Sequence, residues 1–138
     1  MILVKSLEKE YYSEDGRVLT NALRGIDLEI KSGDFLAIMG PSGSGKSTLL
    51  HILSFLDRPT KGTYHFLDRE ISELSDEELA SIRNKKMGFV FQAFNLLGRM
   101  SVYENIEIPL MYSDTPADKR KNAIERVIKS VDLMDKIG

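Results

Sequence analysis

The spacing of apolar residues changes several times along these 138 residues, and each change marks a different element. Ile2–Leu7 is short, apolar and β-prone. The polar stretch after it, Glu8–Arg17, contains Asp15-Gly16, a strong turn signal. Strand, turn, strand is the predicted opening, with Val18-Leu19 in the second strand. Ile26, Leu28 and Ile30 then alternate with Asp27, Glu29 and Lys31, the period of a strand with one buried face. A turn at Ser32-Gly33-Asp34 leads to Phe35–Met39, which is apolar without alternation. Such a run predicts a strand buried on both faces, as in a parallel sheet covered by helices.

A glycine-rich loop, Gly40–Gly45, comes next, and helical spacing takes over in Lys46–Leu56, with Leu49, Leu50, Leu53 and Leu56 on one face. Pro59 and Gly62 interrupt the pattern before a short predicted strand, Thr63–Leu67. Ser75 and Glu78 have capping-box spacing and open a polar helix ending near Lys86. Met87–Phe91 reads as another apolar strand. Ser101 and Glu104 repeat the capping box for a helix through about Leu110, with Pro109 near its end. Thr115-Pro116 starts the last helix, proline fitting the first helical position, with Ile124, Val127, Ile128 and Val131 on its apolar face. There is no internal repeat. The class is α/β.

Composition narrows the function without choosing it. Hydrophobic residues make up 42% and charged residues 29%, which is ordinary for a globular chain. Nineteen Lys+Arg against 21 Asp+Glu leave a net charge of −2, no electrostatic footprint for nucleic acid, which is not an expected partner. The absence of cysteine excludes disulfides, thiolate catalysis and cysteine-held zinc. The best apolar run, Leu49–Leu56, is interrupted by His51 and Ser54 and is far short of the roughly 18 residues of a spanning helix. With no leader-like pattern in MILVKSLEKE, a soluble intracellular protein of about one domain is the expectation.

Chemistry enters at Gly40-Pro41-Ser42-Gly43-Ser44-Gly45-Lys46-Ser47, which matches G-x-x-x-x-G-K-[ST] throughout. Glycines allow positive φ and let backbone N–H groups approach phosphate oxygens. The helix that follows aims its unpaired donors and partial positive charge at the same anion. Lys46 can reach the β- and γ-phosphates, and the Ser47 hydroxyl is placed to ligate a Mg²⁺ that bridges them. The alternative, a Gly/Ser surface turn before a helix, is disfavoured by the predicted strand before the loop and the predicted amphipathic helix after it.

From Leu3 onward the chain resembles the nucleotide-binding subunit of ABC transporters. The matching pieces are Glu8-Lys9-Glu10-Tyr11, the strand Leu23–Ile30, GDFLAIMGPSGSGKSTLL at 33–50, LDRPTKG at 56–62 and GFVFQAFNLL at 88–97. FNLLGRMSVYENIEIPL at 94–110 points to the branch serving lipoprotein release, macrolide export and cell division. The resemblance implies a P-loop α/β fold with an N-terminal antiparallel β-subdomain, a P-loop core strand and helix, and the start of a helical subdomain after Gln92. It implies ATP and Mg²⁺ as ligands, held by Gly40, Ser42, Gly43, Ser44, Gly45, Lys46, Ser47 and Thr48. Tyr11 falls where the family stacks an aromatic on adenine, with Tyr12 beside it as the alternative. Gln92 matches the glutamine that contacts Mg²⁺ and the attacking water, so that Lys46 and Gln92 are the implied catalytic residues and Ser47 and Gln92 the implied metal contacts. The implied partners are an integral-membrane permease subunit and a second ATP-binding subunit. The implied location is cytoplasmic, against the inner face of the membrane.

The family's LSGGQ signature, the apolar strand ending in Asp-Glu, the D-loop and the switch histidine do not occur in these residues. Tyr64–Asp68 has the texture of that strand but matches the family's peripheral β-hairpin, so Asp68 is not expected to hold metal. Asp76-Glu77-Glu78 is expected to be an acidic first helical turn. His51 and His65 are expected to be structural or solvated, and Lys119-Arg120-Lys121 the solvated side of a helix. Residues 1–138 are therefore expected to be the N-terminal part of a longer ATP-binding domain, binding Mg-ATP weakly alone and turning it over negligibly. Because Phe35–Met39 finds only Met87–Phe91 as a comparable strand, exposed apolar edges are also expected. Two other functions compete: a catalytically silent nucleotide-binding regulatory module, and a P-loop small-molecule kinase. The kinase is disfavoured by scattered arginines and by the 39 residues before Gly40.

Overall fold

The computed structural model describes residues 1–93 and 95–137; Phe94, which opens the 94–110 segment, and Gly138 lie outside the described residues. The chain divides into two compact units, Met1–Ala80 and Ser81–Gly138.

The first unit is built on a four-stranded antiparallel sheet. Its strands are β1 (Ile2–Tyr12), β2 (Val18–Ile30), β3 (Lys61–Phe66) and β4 (Arg69–Glu70), in the order β2-β1-β3-β4. The Asp15-Gly16 turn is present, closed by Gly16 N–H to the Ser13 carbonyl and Ser13 N–H to the Arg17 carbonyl, both 2.9 Å. The strands it joins are longer than predicted. The polar residues Glu8–Tyr12 belong to β1 because their backbone groups pair with β2, whatever their side chains do. A bulge interrupts β1 near Ser6, whose φ is 48° and whose N–H donates to Asp27 Oδ1 at 2.7 Å. Gly62, at φ 86°, faces this bulge, where a Cβ would lie 2.6 Å from the Lys5 carbonyl oxygen.

Against this sheet lies α1 (Lys46–Leu53). Val4, Leu7, Leu23 and Tyr64 from the strands are buried, with Leu49, Ile52, Leu53 and Phe55 from the helix and its exit. Tyr64 donates its hydroxyl to the Leu53 carbonyl at 2.8 Å, and burial pushes its phenol pKa up. Phe55 stacks on Tyr64 and meets Phe66 edge-on, each at 5.3 Å between centroids. Leu67 and Asp68, both at positive φ, form a two-residue hairpin between the paired Phe66 and Arg69. Asp68 is therefore a turn residue.

Helix α2 (Asp76–Lys86) begins in the first unit with the predicted Ser75–Glu78 capping box and ends in the second. Arg58 donates to Asp76 and Arg69 to Glu78, each at 2.8 Å, so the acidic triplet serves the helix start. The second unit contains α3 (Val102–Met111) and α4 (Ala117–Ser130). Both halves of the Ser101–Glu104 capping box form, and Asn105 holds the preceding loop through the Leu97 N–H and the Leu97, Met100 and Ser101 carbonyls. No helix among the described residues is long and apolar enough to cross a membrane.

Several predicted elements differ. Phe35–Met39, the predicted P-loop core strand, is not in a ladder; Phe35 is 99% and Met39 87% exposed. Met87–Phe91 is likewise not a strand, and Val90 is fully exposed. A two-sided strand exists only when neighbours supply hydrogen bonds and both covering layers, and the described residues give neither segment such a partner. Their apolar side chains are exposed, but as segments outside any strand rather than as the strand edges expected from sequence. Helix α1 stops at Leu53 because Phe55 takes a positive φ and its N–H bonds the Ile52 carbonyl at 3.0 Å. Its inward face is Leu49, Ile52 and Leu53, whereas Leu50 and Leu56 are more than half exposed. Pro116 is the N-cap of α4 rather than its first residue. That helix buries Ile124 and Ile128 but leaves Val127 and Val131 exposed.

Candidate nucleotide-binding site

The 40–48 segment wraps into a tight loop ahead of α1. Ser44 N–H donates to the Pro41 carbonyl at 3.3 Å, and Leu49 N–H begins the helical ladder on Gly45 at 2.8 Å. Gly45 is the N-cap at φ 88°, with no side-chain cap, so the donors of the first turn are left to an external acceptor. A Cβ at Gly45 would come within 2.5 Å of the Ala22 carbonyl oxygen on β2. Glycine therefore does two things here: it permits the turn and lets the loop press against the sheet. Lys46 folds back over the loop, donating from Nζ to the carbonyls of Gly40 (2.9 Å) and Pro41 (2.6 Å), with Ser44 Oγ at 3.4 Å. Its ammonium thus stands at the mouth of the loop. Among the described residues the hydroxyls of Ser42, Ser47 and Thr48 make no hydrogen bond. Ser47 is exposed.

A groove of about 310 Å³ runs beside this loop, lined by Asn21, Ala22, Leu23 and Arg24 of β2 together with Gly43 and Ser44. Among the described residues the Asn21 side-chain oxygen is buried there without a hydrogen-bond partner. A polar acceptor left in that condition is costly unless a ligand or water completes it.

Tyr11 and Tyr12 have different surroundings. Tyr11 donates its hydroxyl to Asp57 Oδ2 at 3.2 Å, and Lys9 Nζ stands 5.0 Å over its ring. Asp57 follows α1, so Tyr11 turns toward the element that carries the loop. Tyr12 donates to Glu10 at 2.5 Å, a bond that raises its phenol pKa. Neither tyrosine is hydrogen-bonded or ring-stacked to the loop itself among the described residues. Gln92 belongs to the second unit, in a bend, and is exposed. His51 is exposed on α1, and His65 lies 3.8 Å from Glu70. Of the basic cluster, Arg120 bonds the Thr115 carbonyl and Lys121 approaches Glu125 at 3.9 Å, while Lys119 is exposed. Among the described residues no group of three or more His, Cys, Asp or Glu could hold a metal. Sequence reasoning missed Lys9, Asn21 and Asp57; the one available signal was that Lys9 and Tyr11 are two apart and share a strand face.

A glycine-rich loop of this geometry, lying against an antiparallel sheet and opening a helix with an uncapped start, is the arrangement of a P-loop. A family model described as ABC transporter matches residues 23–137, and the chain belongs to that family. An uncharacterized ABC transporter ATP-binding protein of Thermotoga maritima is 48% identical over 122 residues, which is 88% of this chain and 52% of that protein. The ABC transporter ATP-binding protein YknY of Bacillus subtilis is 43% identical over 99% of this chain and 59% of its own length. The macrolide export ATP-binding/permease protein MacB of Bdellovibrio bacteriovorus is 48% identical over 92% of this chain and 20% of its own. The solved ATP-binding cassette MJ0796, a dimer in a post-hydrolysis state bound to ADP and Pi, superposes with a TM-score of 0.84 at 37% identity. That match covers 99% of this chain and 60% of the cassette. The chain thus spans about half the length of the ATP-binding proteins it matches and a fifth of the fused exporter.

Proposed function

We propose that this chain is the ATP-binding portion of an ABC-type export or release system, in which ATP binding and hydrolysis drive a membrane permease. The observation that carries this reading is the Gly40–Ser47 loop, with an uncapped helix start, a glycine pressed against β2 and Lys46 stationed over it. Loop N–H groups and Lys46 bind the phosphates, Thr48 adds a hydroxyl, and Tyr11 receives the adenine. Ser47 offers an unengaged hydroxyl oxygen that fits a hard cation, and by family resemblance Gln92 supplies an amide oxygen for the metal and the attacking water. Mg²⁺ bound there would neutralise charge on the phosphate oxygens. A permease and a second ATP-binding copy are the proposed partners, at the inner face of the membrane. The names of the relatives, export ATP-binding/permease proteins and a dimeric cassette, support this. In the fused relatives the permease is part of the same protein, so the partner here is either a separate subunit or a fused one.

Residues 1–138 contain neither LSGGQ nor an Asp-Glu strand end, so this chain alone should bind Mg-ATP weakly and hydrolyse it negligibly. Titration calorimetry with Mg-ATP is expected to show binding that Lys46→Ala weakens at least tenfold. Equal affinity in the variant would overturn the site. Lys46-dependent phosphate release at the pace of a complete cassette would overturn the negligible turnover.

A further inference from the structure

Tyr11 is held by two charged residues that no motif of the P-loop contains. Asp57 Oδ1 accepts from Lys9 Nζ at 2.6 Å and from the Arg58 N–H at 2.7 Å, while Oδ2 accepts from the Tyr11 hydroxyl at 3.2 Å. Lys9 donates also to the Arg58 carbonyl at 2.8 Å, and its ammonium sits over the Tyr11 ring. The carboxylate is mounted on the exit of α1, since Asp57 N–H bonds the His51 carbonyl at 3.3 Å. Two further bonds fasten that exit to β1: Thr60 N–H to the Glu8 carbonyl at 2.8 Å, and Glu10 N–H to Thr60 Oγ1 at 3.0 Å. The helix that begins at the phosphate loop therefore ends on the strand that bears Tyr11.

The geometry points to Lys9 and Asp57 as positioning residues for the base of a bound nucleotide, an inference that rests on reading Tyr11 as the base platform. Asp57 fixes the tilt of the ring through its hydroxyl. Lys9 occupies one ring face by cation–π attraction, so a base can stack only on the other. Burial pushes the Asp57 carboxyl up, but Lys9, the Arg58 N–H and Tyr11 outweigh it and hold the group below its ordinary value, which keeps the anchor charged. The base platform and the phosphate loop are in this way set from one rigid element, and the pair would favour nucleotides over bare polyphosphate.

The test compares the affinities of the 138-residue chain for Mg-ATP and for Mg-tripolyphosphate, which shares the phosphates and lacks the base. Asp57→Ala and Lys9→Met are each expected to weaken ATP three- to tenfold and to leave tripolyphosphate within twofold. Asp57→Asn, which retains an acceptor for Tyr11 without the charge for Lys9, should fall between wild type and Asp57→Ala. Parallel losses for both ligands, or no loss in either variant, would overturn the inference. Lys9→Met keeps the test open if Asp57→Ala does not fold, as judged by its melting curve. Tyr11→Ala separates the two levels. If it leaves ATP affinity unchanged, the platform reading itself fails. If it weakens ATP while Asp57→Ala and Lys9→Met do not, only the positioning role fails.

Discussion

Two apolar segments only a few residues apart meet opposite fates. Ile26–Ile30 alternates with charged residues and pairs in β2, with its apolar side chains partly covered. Phe35–Met39 is more apolar, residue for residue, yet lies outside the sheet with Phe35 and Met39 in solvent. The alternating strand needs one covering layer and one neighbour, both of which lie within the first 80 residues. The continuous run needs two layers and parallel neighbours. Hydrophobicity alone does not bury a segment; the complement must be present. The two units repeat the contrast. The first buries Ile52, Leu7, Tyr64 and others in one cluster between sheet and helix, whereas the described part of the second buries only Ile124 and Ile128.

The comparison breaks first where the first unit is densest. Ile52→Ala removes a side chain with no exposure and is expected to cost about 2–5 kcal/mol in urea unfolding, while Leu50→Ala, on the exposed side of the same helix, stays within about 0.5 kcal/mol. Equal effects would mean that α1 does not bury the face described. In the second unit, Ile128→Ala should cost about 2–4 kcal/mol there. Hydrogen exchange should show α3 and α4 losing protection while β1 and β2 keep theirs; uniform loss would mean that the two units melt as one. Ser101→Ala removes a helix cap and should cost about 0.5–2 kcal/mol, read as faster exchange confined to α3.

The smallest effect is the acid limb of the first unit. The folded pKa of Asp57 lies below its unfolded value near 3.8, so its stabilisation is present above that pH and is lost as pH falls through the folded pKa. Asp57→Asn should flatten the stability curve below pH 4 without changing its shape between pH 6 and 8; an unchanged acid limb would contradict the charged anchor.

Much of the site was legible because it is local. A P-loop specifies itself by glycines and a lysine within eight residues, and the capping boxes at Ser75 and Ser101 are four-residue signals; all form at the predicted places. The inward face of α1 was misread, since Leu50 and Ile52 are equally apolar and only the tilt of the helix on the sheet selects between them. Asp57 was illegible for another reason: it is 46 residues from Tyr11, and no periodicity connects them.

By itself, the sequence determined the Asp15-Gly16 turn, the glycine-rich loop and the helix after it, both capping boxes and the family, because each rests on interactions between residues close along the chain or on a contiguous motif. Only the tertiary structure decided that Glu8–Tyr12 is strand, that Ile52 rather than Leu50 faces inward, that Phe35–Met39 stays outside the sheet, and that Lys9, Tyr11 and Asp57 meet. Those outcomes depend on what lies across from a residue. Burial and ladder hydrogen bonds are made by partners distant in sequence, and a one-dimensional pattern does not record them.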